Sequence, residues 1–357
     1  MLFRSKCLGC GADLEFDPKS GSQKCPYCGH EHEVPASEEE IRELDFEKVL
    51  AEASGEEETR TQKVVKCGDC GAESTLDPNV TSDDCPFCGS PVVVGESESK
   101  KIKPKSILPF KVAQTEAGEL FRKWLAGLWF APNKLKHLAR RDVPLDGMYI
   151  PYWTYDSNTT SFYRGERGVD YWVSETYTDS QGNTRTRQVR RTRWYPVSGC
   201  VWNNFDDVLV LASNSLPRKY AEELEPWDLE NLAGYSDEFL SGFRTESYQV
   251  GLEEGFGRAR DIMDGAIRNS ICRDIGGDHQ RIHSVSTQYD DITFKHILLP
   301  IWISAYRYNQ KPFRFLVNGR TGEVQGERPW SWIKITLAVF SAIALLAGGY
   351  YAFTLAQ

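Results

Sequence analysis

No G-x-x-x-x-G-K-[ST] loop occurs in this chain, which excludes the backbone cradle that holds a nucleoside triphosphate. G-x-G-x-x-G and H-E-x-x-H are absent as well, and no serine or cysteine stands in a recognisable nucleophile setting. Nothing therefore points to an enzyme. Positive charge is scarce in the first 103 residues, where 12 Lys and Arg face 22 Asp and Glu for a net charge of -10. The whole chain carries -9, so the remainder is close to neutral. Polyanion binding needs clustered positive charge, and an acidic half of this kind suits a protein partner better than a phosphate backbone. Met1–Gly11 is too short for a secretory signal and already belongs to a cysteine motif, so none is expected. Charge is missing altogether from Ile335 to Gln357.

Cysteine, by contrast, is patterned. Eight of the ten cysteines form two copies of one arrangement. Cys7 and Cys10 are followed by Cys25 and Cys28, and Cys67 and Cys70 by Cys85 and Cys88. The offset is constant, and Lys6, Asp17-Pro18 and Val34 match Lys66, Asp77-Pro78 and Val94. Each copy offers four thiolates in two knuckles, the ligand set of a tetrahedral structural zinc. Two zinc ions per chain are expected. All four positions are cysteine, so no position is left for a catalytic water, and the metal should fold the ribbon rather than do chemistry. Gly11, Gly29, Gly71 and Gly89 follow the knuckles, where φ > 0 is expected. His30 and His32 stand near enough to Cys28 to replace a ligand. Disulfides are the competing reading, which a reducing compartment disfavours.

The uncharged run from Ile335 to Leu355 would span about 31 Å as a helix, the thickness of a hydrocarbon core. Trp330 and Trp332 before it and Tyr350 and Tyr351 near its end stand where interfacial aromatics belong. Arg328 and Lys334 flank its N-terminal side, which by the positive-inside rule places the preceding bulk in the cytoplasm. The expectation is a single-pass cell-membrane protein held by its tail.

The fold class expected is multidomain: two small zinc ribbons, an α+β domain with a mainly antiparallel sheet, and one C-terminal transmembrane helix. The boundaries are 1–36 for the first ribbon, 37–63 for an acidic helical linker, 64–95 for the second ribbon and 96–104 for a polar linker. The α+β domain covers 105–328 and the transmembrane helix 333–355. Ser37–Glu40 reads as a capping box for a solvated spacer helix reaching about Ala53. Linkers of this composition would let both ribbons swing. In the middle domain, helical spacing marks Thr115–Trp129, Asn133–Ala139, Pro217–Leu232 and Leu252–Ile275. Strand signals mark Met148–Tyr155, Ser161–Tyr163, Val208–Ala212, Gln280–Tyr289, His296–Tyr308 and Phe313–Val317. Asp170–Thr178 and Thr184–Tyr195 form a hairpin. Pro151-Tyr152-Trp153-Thr154 and Pro300-Ile301-Trp302-Ile303 are a faint internal echo.

One basic feature stands out. Arg185, Arg187, Arg191 and Arg193 share parity on one strand and so line one face, with Arg190 on the other. They either pair with acids of the facing strand such as Glu175 and Asp170 or form a candidate contact to an anionic surface, with acidic lipid headgroups favoured over DNA for an anchored chain. His279 and His283 share a strand face without a general-base glutamate, and Cys200 and Cys272 read as inert thiols.

The two ribbons are followed by Leu108-Pro109-Phe110, Trp129-Phe130-Ala131-Pro132, Pro151-Tyr152-Trp153-Thr154-Tyr155, Tyr163-Arg164-Gly165 and Arg193-Trp194-Tyr195-Pro196-Val197-Ser198-Gly199, and then by one terminal span. This combination resembles the YdjG-like bacterial double-zinc-ribbon membrane proteins, often labelled as relatives of the primosomal protein N′ helicase. The label rests on the zinc-binding cysteines, and the ATP loop a helicase needs is missing here. Members of that family tend to be encoded beside flotillin-like (SPFH) and phage-shock-protein-A-like membrane-stress proteins. The resemblance implies a membrane-anchored cytosolic adaptor that recruits such partners, and it supplies no catalytic residues. The alternative is a zinc-ribbon nucleic-acid-binding protein related to replication or transcription factors.

Overall fold

The computed structural model describes residues 5–34, 42–51, 59–74, 82–93, 96–132, 145–178, 180–308 and 311–355. Three strands of unusual length dominate: β1 (Asp146–Thr178), β2 (Thr184–Leu211) and β3 (His279–Tyr308). They lie antiparallel in the order β2-β1-β3. The sheet continues through β4 (Lys311–Asn318) and β5 (Val324–Gly326), while Ser106–Ile107 joins β3 in parallel. The antiparallel α+β character agrees with the sequence reading. The separate strands expected at Met148–Tyr155, Ser161–Tyr163 and Asp170–Thr178 are instead one continuous β1.

The reason lies in Asp156-Ser157-Asn158, which carries turn chemistry but is absorbed as a bulge. The register shifts at Tyr155/Ser157 against β2 and at Asp156/Asn158 against β3. Asp207 and Asp291, opposite this point, take positive φ of 52° and 51°, a conformation aspartate tolerates better than most residues. The Asp207 amide donates to Asp156 Oδ1 at 2.5 Å, and Asn158 Nδ2 donates to Asp291 Oδ2 at 3.1 Å. A bulge absorbs the extra residue while pairing resumes beyond it.

Helices α1 (Gln114–Gly127) and α2 (Leu252–Ile275) fall where the apolar spacing places them. Pro217–Leu232 does not form one helix. It is reduced to Arg218–Glu222 and a single turn at Leu229–Asn231, because Pro226 offers no amide and disfavours helix at Glu225. The helix expected over Asn133–Ala139 and the capping box at Ser37–Glu40 lie outside the described residues. After them, Phe46–Ala51 is helical. It is not a solvated spacer, because Phe46 is buried with its ring 4.8 Å from that of Phe256.

At one end of the sheet both faces are covered, which explains the unbroken apolar run Met148–Tyr155. Strands buried on both sides need no alternation. Met148, Ile150 and Tyr152 share one core cluster with Val65, Ala72 and Phe87 of the second ribbon. Tyr149 faces the other way, into a cluster with Phe121 and Leu125 of α1 and Phe16 of the first ribbon. Further along, α2 lies on Trp153, Tyr155 and Tyr163. Gly255 allows this close approach, since a Cβ there would stand 2.4 Å from the Tyr155 hydroxyl, which donates to the Leu252 carbonyl.

The helix α3 (Trp332–Leu355) closes the chain. Its residues Trp332–Tyr350 are long and apolar enough to cross a membrane, and that window has no buried share.

His296 provides a test of this core. Its ring is buried against Trp153 and Tyr248, and Nδ1 donates to the Ile102 carbonyl at 3.0 Å. Burial holds its pKa down at about 4 against an ordinary 6.5. The neutral ring is favoured in the fold, so its contribution is present above pH 6.5 and lost as pH falls from there toward 4. Urea unfolding at pH 7.5 and pH 4.5 should show the parent losing between about 2 and 3 kcal/mol more than His296→Gln. Equal losses would mean that the ring does not resist protonation.

Candidate metal centres

Both cysteine sets converge. Among the described residues, Cys7, Cys10, Cys25 and Cys28 form one group able to hold a metal ion, and Cys67, Cys70, Cys85 and Cys88 another. Sulfur separations are 3.5 Å for Cys7–Cys28 and Cys10–Cys25, and 3.7 Å for Cys67–Cys88 and Cys70–Cys85. Four thiolates about 2.3 Å from one zinc in a tetrahedron stand about 3.8 Å apart, so the donor set and its spacing fit that ion.

All four knuckles are built alike. Each first cysteine's carbonyl accepts from the glycine four residues on, with φ between 65° and 74° at Gly11, Gly29, Gly71 and Gly89. That is the left-handed turn the sequence required of these glycines. In return each first cysteine's amide donates to the carbonyl five residues on, those of Ala12, His30, Ala72 and Ser90. The rings of His30 and His32 meet edge to face at 4.8 Å, and neither joins the sulfur group.

Packed this closely, four thiols cannot all ionise unaided. A hydrogen bond from Cys85 holds Cys70 down at about 5, and giving that bond, together with burial, pushes Cys85 far up. A divalent cation at the centre would remove the conflict and bind all four as thiolates.

The two ribbons sit on the domain in opposite ways. The first, with strands Glu15–Asp17, Ser22–Lys24 and Glu31–His32, docks through its hairpin. The Phe16 amide donates to the Ser241 carbonyl at 3.0 Å, and Gln23 Nε2 donates to Ser241 Oγ at 2.8 Å. Its knuckles face outward, with Leu8 88% and Tyr27 83% exposed. The second docks through its knuckles. Phe87 is 0% exposed, and the Ser247 amide donates to the Glu73 carbonyl. Phe87 and Tyr27 occupy the same place in the repeat. Swinging ribbons are therefore not what the structure contains. The stretch read as a linker, 96–104, supplies the strand Glu96–Ile102, antiparallel to Thr59–Lys66.

The arginines fall as parity requires. Arg185, Arg187, Arg191 and Arg193 stand opposite Tyr177, Glu175, Tyr171 and Val169 on one face of the β1–β2 hairpin. Glu175 accepts from both Arg191 and Arg187, and the guanidinium of Arg191 first, then that of Arg187, keeps its carboxyl below the usual range. Asp170 is not part of this face. It pairs with Arg190 and His279 on the other side. His283 Nε2 likewise lies 3.6 Å from Glu166, so each histidine faces a carboxylate. Cys200 and Cys272 are half-buried free thiols. The third group, Glu43, Asp156 and Asp206, is acidic, and Lys295 Nζ lies 3.3 Å from its Glu43 and 2.7 Å from the adjoining Asp207.

Leu8, Tyr27 and Phe87 were not singled out by sequence reasoning. The signal was present in the repeat itself, where Pro26-Tyr27 aligns with Pro86-Phe87 and Leu8-Gly9 with Gly68-Asp69.

These features define a protein with two four-cysteine ribbons packed on a long antiparallel sheet, followed by an apolar C-terminal helix. No family model matches the chain, and no solved structure matches it. It is similar to a Bacillus subtilis (strain 168) protein described as uncharacterized protein YdjG, 28% identical over 353 residues. The match covers 96% of this chain and 95% of that one, so the similarity runs through almost the full length of both.

Two outcomes follow from the packing. Metal analysis of reduced protein should find two zinc ions per chain, falling to one in Cys67→Ser/Cys70→Ser and in Cys7→Ser/Cys10→Ser. Because the middle domain has its own core and no metal ligands, the sequence alone predicts that it persists on chelation. Cys67, Cys85 and Cys88 lie inside the same core cluster as Met148 and Ile150 of the sheet, so loss of the second metal should instead lower its melting temperature. Phe87→Ala should cost about 3–5 kcal/mol, whereas Tyr27→Ala at an exposed site should stay within about 0.5 kcal/mol. Thermal and urea melts of both variants check this, and equal effects would contradict the docking described.

Proposed function

We propose that the protein is a membrane-anchored cytosolic adaptor whose first ribbon captures a protein partner through its outward knuckles. One observation carries the reading. The knuckle position that the second ribbon plugs into its own domain, Phe87, is presented to solvent in the first ribbon as Tyr27, with Leu8 exposed on the other knuckle. A surface aromatic and a leucine on metal-stiffened turns suit burial by another protein, because rigid anchors lose little conformational freedom on binding. The acidic balance of residues 1–103 favours a protein over a nucleic acid at this surface.

Helix α3 supports the anchoring. Leu337, Phe340, Leu345 and Leu346 are all at least 70% exposed, and an apolar run of this length needs a non-aqueous surrounding. Arg328 and Lys334 then favour a cytoplasmic N-terminal bulk. The metals are read as zinc with a structural role, and the function as non-enzymatic. Flotillin-like (SPFH) and phage-shock-protein-A-like proteins are the partners that the family resemblance suggests.

The test is co-purification in mild detergent with co-expressed proteins of those two classes. Leu8→Ser/Tyr27→Ser should reduce recovery at least about tenfold, as the loss of a buried anchor pair does, while two zinc ions and the melting temperature are retained. Undiminished recovery sinks the knuckle as the docking point. Release of the chain from membranes by alkaline carbonate would separately refute the anchor.

A further inference from the structure

The first two long strands run on past the third. Gly168 is the last residue of β1 paired with β3, opposite His279. Beyond it, β1 and β2 continue alone from the pair Val169–Arg193 to the pair Thr178–Thr184. The result is a two-stranded arm about 33 Å long. Such a ribbon gains little from folding by itself, so its side chains are free to serve another purpose.

Among the described residues, one face of the arm carries four guanidiniums, those of Arg185, Arg187, Arg191 and Arg193, and one carboxylate, that of Glu175. The described residues of this narrow face thus sum to three positive charges, in a chain whose total is -9. All four arginines are exposed. By strand rise Arg185 and Arg187 are about 7 Å apart, as are Arg191 and Arg193, while Arg187 and Arg191 are about 13 Å apart with Val189 between them. Glu175 shows what fits between them: its two oxygens reach Arg187 at 3.4 Å and Arg191 more closely. The rings of Tyr177 and Tyr171 lie under Arg187 and Arg193, at 5.5 Å and 5.0 Å, and hold them extended. Trp172 on the reverse face is 67% exposed.

We propose that this arm docks on a bilayer through anionic phospholipid headgroups, whose phosphates and carboxylates enter between the guanidiniums as Glu175 does. Magnitude decides between partners. Each arginine near an anionic bilayer is worth about a fivefold preference, so three net charges give about a hundredfold. That is too weak to capture a polymer from dilute solution, but ample for a surface beside which the chain is already fixed. The last step rests on the reading of α3 as a membrane anchor. Tyrosine and tryptophan flanking the arginines suit the headgroup layer. The helix α3 leaves from the opposite end of the sheet, where the Ser331 amide donates to Phe130 and Lys334 Nζ to Ala131. The contact therefore either lays the sheet along its own bilayer or reaches a facing one.

The full chain, held in a neutral amphipol so that the assay does not depend on insertion of α3, is mixed with phosphatidylcholine or phosphatidylserine-rich vesicles and floated. Recovery with the anionic vesicles should be high at low salt and fall in high salt, with little recovery on neutral ones. Replacing the four arginines by glutamine (R185Q, R187Q, R191Q and R193Q) should lower recovery at least about tenfold. The matching lysine replacements should retain most of it, which separates charge from loss of the hairpin. Equal recovery on neutral vesicles, undiminished recovery of the glutamine variant, or loss of recovery in the lysine variant would overturn the proposal. So would displacement from the vesicles by duplex DNA at equal ionic strength, since a two-stranded ribbon also fits a major groove.

Discussion

The sheet is apolar on both faces at one end, and everything else is arranged around covering it. A single layer of helix would leave half of Met148–Tyr155 in water. The structure supplies two layers, with α1 and Phe16 on one side and the second ribbon on the other. A ribbon of this size has too small an apolar core to hold itself without metal. A metal held by Cys67, Cys70, Cys85 and Cys88 would thus become part of what keeps the sheet dry.

The two copies of the repeat show how one sequence pattern yields two roles. Their knuckles are matched hydrogen bond for hydrogen bond, so metal chemistry does not distinguish them. The side chain displayed on the turn does. Phe87 has no polar atom and is enclosed, whereas Tyr27 carries a hydroxyl and remains in water. The first ribbon keeps its place by its hairpin instead, through Phe16 and the Gln23 amide. Fixed by one side and open on the other, it presents its knuckles in a constant direction.

Much of this was legible in the residues. The cysteine spacing located both metal groups and the glycine turns because local geometry alone decides them. Parity on β2 placed the four arginines on one face, and the absence of charge marked α3. Helix α2 was bounded correctly because Gly276, at positive φ, stops a regular apolar stripe. What could not be read was long-range. Asp156-Ser157-Asn158 looks like a turn until Asp207 and Asp291 stand opposite it. Glu96–Ile102 looks like a linker until Thr59–Lys66 is there to pair with. Phe46 has no visible reason to be buried until Phe256 arrives from α2. In each case the deciding partner is distant in sequence, and composition cannot report it.

The order of the three long strands has a consequence for how the chain finds its shape. The β1–β2 ladder can zip outward from the short loop between Thr178 and Thr184, each rung adding to the last, so its entropic cost is met in small steps. The third strand must instead span from 111 residues, between Gly168 and His279, to 157, between Asp146 and Ile303. Non-local pairing of that kind is slow, because loop closure precedes any reward. Until β3 arrives, one edge of β1 offers a long row of unpaired amides and carbonyls, the template on which chains join wrongly. A newly made chain is thus most vulnerable to aggregation in the interval between closing its hairpin and receiving its third strand.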